Sequence, residues 1–329
     1  MNYCEGILEA HRHLLRRYPE VFVIGQGLWS PWYVGNSMKD LDKEFGVDRV
    51  MDTPVSEDAT TAIAGGASLC GYRPIVVHPR VDFLVLAMNS VVNQLAKWSH
   101  MLGGQASPRV TIRGIVNRGG EQGAQHSQAL HSWFCHVPGL RVVMPATARD
   151  ARELFVASVL CDDPVIFLDD RWCYEHTDEV SEIQELDLQE QGPRVIRSGA
   201  DLTLVGSSYS SLLCLDAAAR LSERGIQTEV IDLRVVSPLK PEILVASVEK
   251  TGRLLAVDGS WASCGLAGEI IASVSEKLPM PAWKSRPRRI TLPAAPAPTS
   301  APLEKDYYPS AAAIADMAES MVETRKGRA

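Results

Sequence analysis

Glu57 closes the segment Val50-Met51-Asp52-Thr53-Pro54-Val55-Ser56-Glu57, in which a short apolar run ends at a proline-fixed bend and a carboxylate opens the next helix. An acid held at such a turn can exchange a proton with a bound group. Ser56 fits the N-cap position, and a carboxylate in the first turn is favoured by the unpaired amides and the macrodipole. The plain alternative is a glutamate that only stabilises its own helix. A second cluster, Gly119-Gly120-Glu121-Gln122-Gly123-Ala124-Gln125-His126-Ser127-Gln128, follows an apolar run ending near position 116. Its glycines free the backbone for close approach to a ligand, and its polar residues read as the opening of the next helix. Here the plain alternative is a capped helix with an exposed His126.

Other constellations exclude chemistries. Gly25-Gln26-Gly27-Leu28-Trp29-Ser30 follows a strand, but Ser30 stands where a dinucleotide fingerprint has glycine, Pro31 comes next, and no helical pattern begins there. A phosphate loop of the Gly-x-x-x-x-Gly-Lys-Ser/Thr type and a Gly-x-Ser-x-Gly elbow are both missing from the sequence. His126, His131 and His136 are spaced by five, and on a helix that step turns a side chain by about 140°, so the three do not share a face. No His-Glu-x-x-His pattern occurs, so no metal held by this chain's own imidazoles is expected. Cys135 and His136 are neighbours that point apart and do not suggest a nucleophile.

The elements that must position these residues alternate between helical and strand patterns, the sign of parallel sheets covered by helices. Ile7, Leu8, His11, Leu14 and Leu15 form one helical face, and Val21-Phe22-Val23-Ile24 reads as a buried strand. A helix opened by Ser56, a strand over 74–78, a long helix over about 83–102 and strands near 110–116, 141–144 and 165–168 follow. Between 171 and 197 the pattern dissolves into Glu, Asp and Gln with Gly192-Pro193. A second series then runs through strands at 202–206, 228–233 and 254–258, with helices up to 221, after Pro241, over 264–278 and over 311–322; 293–298 is a Pro/Ala-rich loop.

The 329 residues suffice for two domains, and 46% hydrophobic with 22% charged residues is a globular composition. A formal charge of -7 argues against a general nucleic-acid binder, and the one dense basic run, 286–289, reads as a solvated loop. The N-terminus lacks a signal pattern and no run is long enough to span a bilayer, so a cytoplasmic protein is expected. Seven cysteines without a C-x-x-C pair read as small hydrophobes in a reducing compartment.

Taken together, the segments resemble the β subunit of thiamine-diphosphate-dependent E1 components of 2-oxo acid dehydrogenases, pyruvate dehydrogenase E1 β among them, within the transketolase-like superfamily. The resemblance spans nearly the whole chain. It rests on Arg49 through Glu57, Gly71-Tyr72-Arg73-Pro74-Ile75, Gln125-His126-Ser127-Gln128 and His136-Val137-Pro138-Gly139-Leu140-Arg141-Val142-Val143-Met144-Pro145. Glu229-Val230-Ile231-Asp232-Leu233-Arg234 with Ser237-Pro238, Lys250-Thr251-Gly252-Arg253-Leu254 and Ala301-Pro302-Leu303-Glu304 extend it through the second half. It implies an α/β fold of two doubly wound sheet domains: a transketolase-like pyrimidine-binding domain over 1–175, a linker over 176–198 and a transketolase C-terminal domain over 199–329.

In that family the glutamate matching Glu57 hydrogen-bonds N1′ of the cofactor's aminopyrimidine. A proton shared there favours the imino tautomer, whose 4′-nitrogen removes the thiazolium C2 proton. By the same resemblance Phe83 is the aromatic wall packed on the pyrimidine, and His126 faces the substrate side of the thiazolium. The catalytic pair expected is thus Glu57 and His126, with Glu57 and Phe83 holding the cofactor. The stretch 76–82 departs from the family: Val77 replaces an acid common in relatives, and His78-Pro79-Arg80 is unusual there. Leu86 takes a place often polar in relatives, and Cys161 replaces an aspartate that accompanies a monovalent cation in some of them.

The family grips the diphosphate through Mg²⁺ held by a Gly-Asp-Gly motif, and this sequence contains none. The resemblance therefore implies half of an active site. An α subunit is expected to supply the Mg²⁺ and diphosphate half in an α2β2 heterotetramer, acting on a small 2-oxo acid and passing the acyl unit to a lipoyl acyltransferase, a carrier protein or another acceptor. A split transketolase-like or acyloin-forming transferase using the same half-site is the second reading.

Overall fold

The computed structural model describes residues 1–30 and 32–323. Pro31, used above against a dinucleotide site, and the last six residues of the expected second domain lie outside the described residues. The chain divides into two compact units. The first comprises Met1–Arg118, Gln125–Gln191 and Val235–Pro238; the second comprises Gly119–Ala124, Gly192–Arg234 and the described residues from Leu239 on.

The first unit is built on β1 (Val21–Gly25), β2 (Val50–Asp52), β3 (Arg73–His78), β4 (Thr111–Val116), β5 (Arg141–Val143) and β6 (Val165–Asp170). The second begins with β7 (Arg194–Arg197), β8 (Leu202–Gly206) and β9 (Thr228–Asp232); β10 (Val235–Ser237) returns to the first, and β11 (Leu254–Trp261) and β12 (Arg288–Leu292) complete the second.

The first sheet has the order β10-β5-β6-β4-β3-β1-β2, parallel except for β10 against β5. Every residue of β1, β4 and β6 is buried. That is why these strands read as unbroken apolar runs and not as alternating ones: helices cover both faces of a parallel sheet. From β2 the chain crosses β1 to reach β3, so connections leave β1 and β3 in opposite directions. This is the switch point at whose carboxyl edge ligands bind in open α/β sheets. Gly25 pairs with Val77 there, and a Cβ on Gly25 would lie 2.4 Å from the Val77 carbonyl oxygen. Only glycine lets the strand ends approach so closely.

The second sheet has the order β12-β11-β8-β9-β7, parallel except for β7 against β9. Its core joins Leu202, Leu204, Leu221, Leu255, Ile314 and Met321, bringing the closing helix Ala311–Glu323 against Tyr209–Glu223.

Several expectations are corrected. The single helix over 83–102 is a succession of pitches: α over Val81–Leu84, 3₁₀ over Val85–Ala87, π over Asn89–Leu95 and α over Ala96–Met101. Hydropathy periodicity reports a helical path but not its winding. The second half of the basic run opens β12, an edge strand whose Arg288 and Arg289 are exposed, as charged residues on a sheet edge should be. The stretch read as a connection carries β7 and a 3₁₀ turn at Leu188–Glu190. Cys4, Cys161, Cys173 and Cys214 are buried as small hydrophobes, whereas Cys70 and Cys264 are exposed. Among the described residues no helix is long and apolar enough to cross a membrane.

Candidate active site

Glu57 is the first residue of the helix Glu57–Leu69, after β2, and is 6% exposed although its neighbours Ser56 and Asp58 are exposed. Ser56 occupies the N-cap, but its side chain makes no capping bond. The loop is instead fixed by backbone: Thr53 N–H donates to the Gly25 carbonyl at 2.9 Å and Thr60 N–H to the Ser56 carbonyl at 2.9 Å. Asp52 orders the neighbouring loop, accepting from Gly27 N at 2.6 Å and Leu28 N at 3.3 Å. One turn along from Glu57, Thr61 Oγ1 meets His78 Nε2 at 3.1 Å. Burial pushes the His78 imidazole down to about 4, so a neutral ring fills this position at neutral pH.

Phe83 and His126 follow β3 and β4, which are adjacent in the sheet, and their rings meet edge to face at 5.2 Å and 82°. Two of the three expected site residues are thus in direct contact. Glu57 follows β2 on the same edge of the sheet, and its carboxylate hydrogen-bonds no described residue.

The loop bearing His126 is not a helix start. Gly119, Gly120, Glu121 and Gly123 all have positive φ, and the helix begins only at His131. The Gln128 N–H donates to Asp82 Oδ1 at 3.0 Å instead. Asp82 is a residue that sequence reasoning missed. It is 3% exposed, and burial raises its carboxyl above the ordinary value while the Gln128 bonds and the charge of His126 act against that rise. The signal was its place directly before Phe83.

Arg80 also stands at this edge. With its amide oxygen facing the guanidinium, Asn117 accepts from Nη1 at 2.7 Å, and the Pro79 carbonyl accepts at 3.0 Å. Burial and the nearby Arg171 lower the Arg80 value. Near 160–163, the Val159 and Cys161 carbonyls accept from Arg73 Nη1 at 3.1 and 2.9 Å, so a guanidinium already satisfies them.

Three buried polar atoms at this edge have no hydrogen-bond partner among the described residues: Thr53 Oγ1, Asp82 Oδ2 and Ser127 Oγ. One lies on each of the connections that leave β2, β3 and β4, Asp82 in the short helix Val81–Leu84. Buried polar groups are nearly always paired, so three such atoms on three connections at one sheet edge mark a place that a polar ligand completes. No group of three His, Cys, Asp or Glu able to hold a metal occurs among the described residues.

Known proteins agree with this architecture. The family description "Transketolase, pyrimidine binding domain" matches residues 1–175 and "Transketolase, C-terminal domain" matches 193–314. The acetoin:2,6-dichlorophenolindophenol oxidoreductase subunit beta of Cupriavidus necator is 36% identical over 337 aligned residues, covering 98% of this chain and 96% of that one. The pyruvate dehydrogenase E1 component subunit beta of Rhizobium meliloti is 33% identical, covering 98% of this chain and 70% of that one. In fold alone, a structure titled as an inactive beta4 tetramer of a split-gene transketolase matches with a TM-score of 0.78 at 19% identity, covering 97% of each chain.

Proposed function

This chain belongs to the transketolase-like family of β subunits that includes those of pyruvate dehydrogenase E1 and acetoin oxidoreductase, and from that premise we propose that it is the β half of a thiamine-diphosphate-dependent 2-oxo acid dehydrogenase. With an α partner it decarboxylates a small 2-oxo acid and passes the acyl unit to a lipoyl arm or another acceptor. The observation that carries this reading is that Glu57, Phe83 and His126 lie on the connections that leave β2, β3 and β4 at one carboxyl edge.

The residues fit the pyrimidine end of the cofactor. A buried carboxyl without a partner, an aromatic face and unsatisfied polar atoms on the same loops suit a flat, polar heterocycle. Held at its pyrimidine end by Glu57 and Phe83, the cofactor would supply a nucleophilic carbon and an electron sink for decarboxylation. Glu57 holds a proton toward the aminopyrimidine ring nitrogen. Phe83 shields that ring from water and orients it. His126, fixed against Phe83, moves a proton at or steadies charge on the substrate oxygen.

The chain's own residues address only that end of the cofactor; the diphosphate and its Mg²⁺ fall to the α subunit, in an α2β2 assembly. The second reading follows from the acetoin oxidoreductase relatives: the same half-site cleaving or forming a 2-hydroxy ketone, with an acceptor other than a lipoyl arm.

Calorimetry with thiamine diphosphate and Mg²⁺ on the lone chain, then with the α partner, tests the division of labour. Weak or no binding before the partner and tight binding after it is expected; tight Mg²⁺-dependent binding by the lone chain would show a complete site. Turnover of pyruvate, longer 2-oxo acids and acetoin, with dichlorophenolindophenol as electron acceptor, separates the two readings. His126→Ala should leave cofactor affinity within about threefold and slow single turnover at least about tenfold. Wild-type rates with every substrate would remove His126 from the mechanism.

A further inference from the structure

The contact between Phe83 and His126 needs an explanation, because His126 lies on an irregular loop with no helix of its own and an imidazole there has many orientations open to it. A backbone fastening lies beside it. Asp82, the residue before Phe83, directs Oδ1 to the Gln128 N–H at 3.0 Å, two residues beyond His126. The same short segment therefore presents the ring that His126 abuts and the carboxylate that fixes the peptide behind it.

Asp82 is a costly choice for a residue that only joins two loops. Its side chain is 3% exposed, and Oδ2 has no hydrogen-bond partner among the described residues. Its two neighbouring charges, His126 and Arg80, act through space and make no salt bridge to it. A buried carboxylate satisfied on one oxygen weakens a fold more than it strengthens it. Its retention is explained by what Oδ1 holds in place.

Within the reading above, we propose that Asp82 is the positioning residue of this site: by fixing the Gln128 peptide it sets the His126 imidazole against the Phe83 edge, in the orientation that the reaction uses. Misplacing a reacting group by about 1 Å can cost on the order of a hundredfold in rate without touching substrate binding. Asp82 thus acts on kcat through His126 and not on the substrate itself.

Two variants separate this role from a merely structural one. Asp82→Asn keeps an oxygen acceptor for Gln128 and removes the buried charge; Asp82→Ala removes both. In the full-length chain, amide exchange at Gln128 should quicken at least about tenfold in Asp82→Ala and stay at the wild-type rate in Asp82→Asn. In the assembled α–β enzyme, Asp82→Ala should lower kcat at least about thirtyfold with KM within about threefold, while Asp82→Asn stays within about threefold in both. A melting temperature of Asp82→Asn at or above that of the wild type would show that the fold is intact. Wild-type exchange or wild-type kcat in Asp82→Ala overturns the proposal. So does an Asp82→Asn enzyme as slow as Asp82→Ala while its Gln128 amide stays protected, since charge and not position would then be at work. The exchange measurement requires neither cofactor nor partner, so it stands even if the assembled complex fails to bind thiamine diphosphate.

Discussion

Two pairs of buried acids, Asp258 and Glu304 in the second unit and Glu57 and Asp82 in the first, are used in opposite ways. In the second unit, Asp258 in β11 accepts from Ser260 N at 3.1 Å and Ala267 N at 3.4 Å, which caps the helix Leu266–Ser275. Glu304 accepts from Glu121 N with both oxygens, at 3.0 and 3.1 Å, and Glu121 in turn accepts from Ala301 N at 3.1 Å. These carboxylates hold backbone in place. In the first unit, Glu57 bonds no described residue and Asp82 keeps one oxygen unpaired, beside the orphaned hydroxyls of Thr53 and Ser127. A satisfied buried acid builds the fold; an unsatisfied one leaves bonding capacity for something that binds. Asp258, bonded to Ser260 N and Ala267 N, accordingly reads as an acid that serves the fold.

The contrast between the units breaks most readily at Glu57. Glu57→Gln keeps the shape but cannot share a proton with a ring nitrogen, so the assembled enzyme should lose at least about 100-fold in kcat, about 3 kcal/mol of transition-state stabilisation. Its thermal midpoint should move little. A Glu57→Gln enzyme retaining more than a tenth of wild-type turnover would make Glu57 a structural acid like Asp258.

Acid should then separate the units. All eight histidines lie between His11 and His176, in the first unit. Burial lowers His78 from 6.5 to about 4 and His11 to about 3. Because the folded values are depressed, the unfolded chain binds the extra protons between the two values. Stability is therefore full above pH 6.5 and is lost as pH falls toward 4, by on the order of 2–3 kcal/mol for His78 alone. Hydrogen exchange at pH 4.5 should show the first unit loosening first, and His78→Gln should soften that dependence. Equal loosening of both units would contradict it.

Asp258→Ala tests the other side of the comparison, with an expected loss of about 2 kcal/mol in denaturant unfolding and unaltered kcat per folded enzyme. An activity loss beyond the folded fraction would place Asp258 in the chemistry. The smallest effect concerns caps. Thr147 accepts from Asp150 N at 3.2 Å whereas the Ser56 hydroxyl makes no capping bond, so Thr147→Ala should cost about 1 kcal/mol and Ser56→Ala less than about 0.5 kcal/mol. Reversal of that order in the same unfolding experiment would show the Ser56 cap to form in solution.

Much of this molecule is legible from the chain alone, because local rules decide it. Buried strands announce themselves as apolar runs such as 21–24 and 165–168, and the proline bend before Glu57 and the glycines before His126 mark strand-end loops by composition. The absence of a Gly-Asp-Gly motif is equally a matter of sequence. What only the tertiary structure decided depends on contacts that periodicity does not encode. The changing pitch over 81–101, the edge strand that Arg288 and Arg289 begin, and the delayed helix start at His131 each follow from neighbours remote in the chain. Asp82 is the sharpest case. Its type and position were visible beside Phe83, yet its partner Gln128 is 46 residues away. Only the adjacency of β3 and β4 brings that amide within reach of its carboxylate.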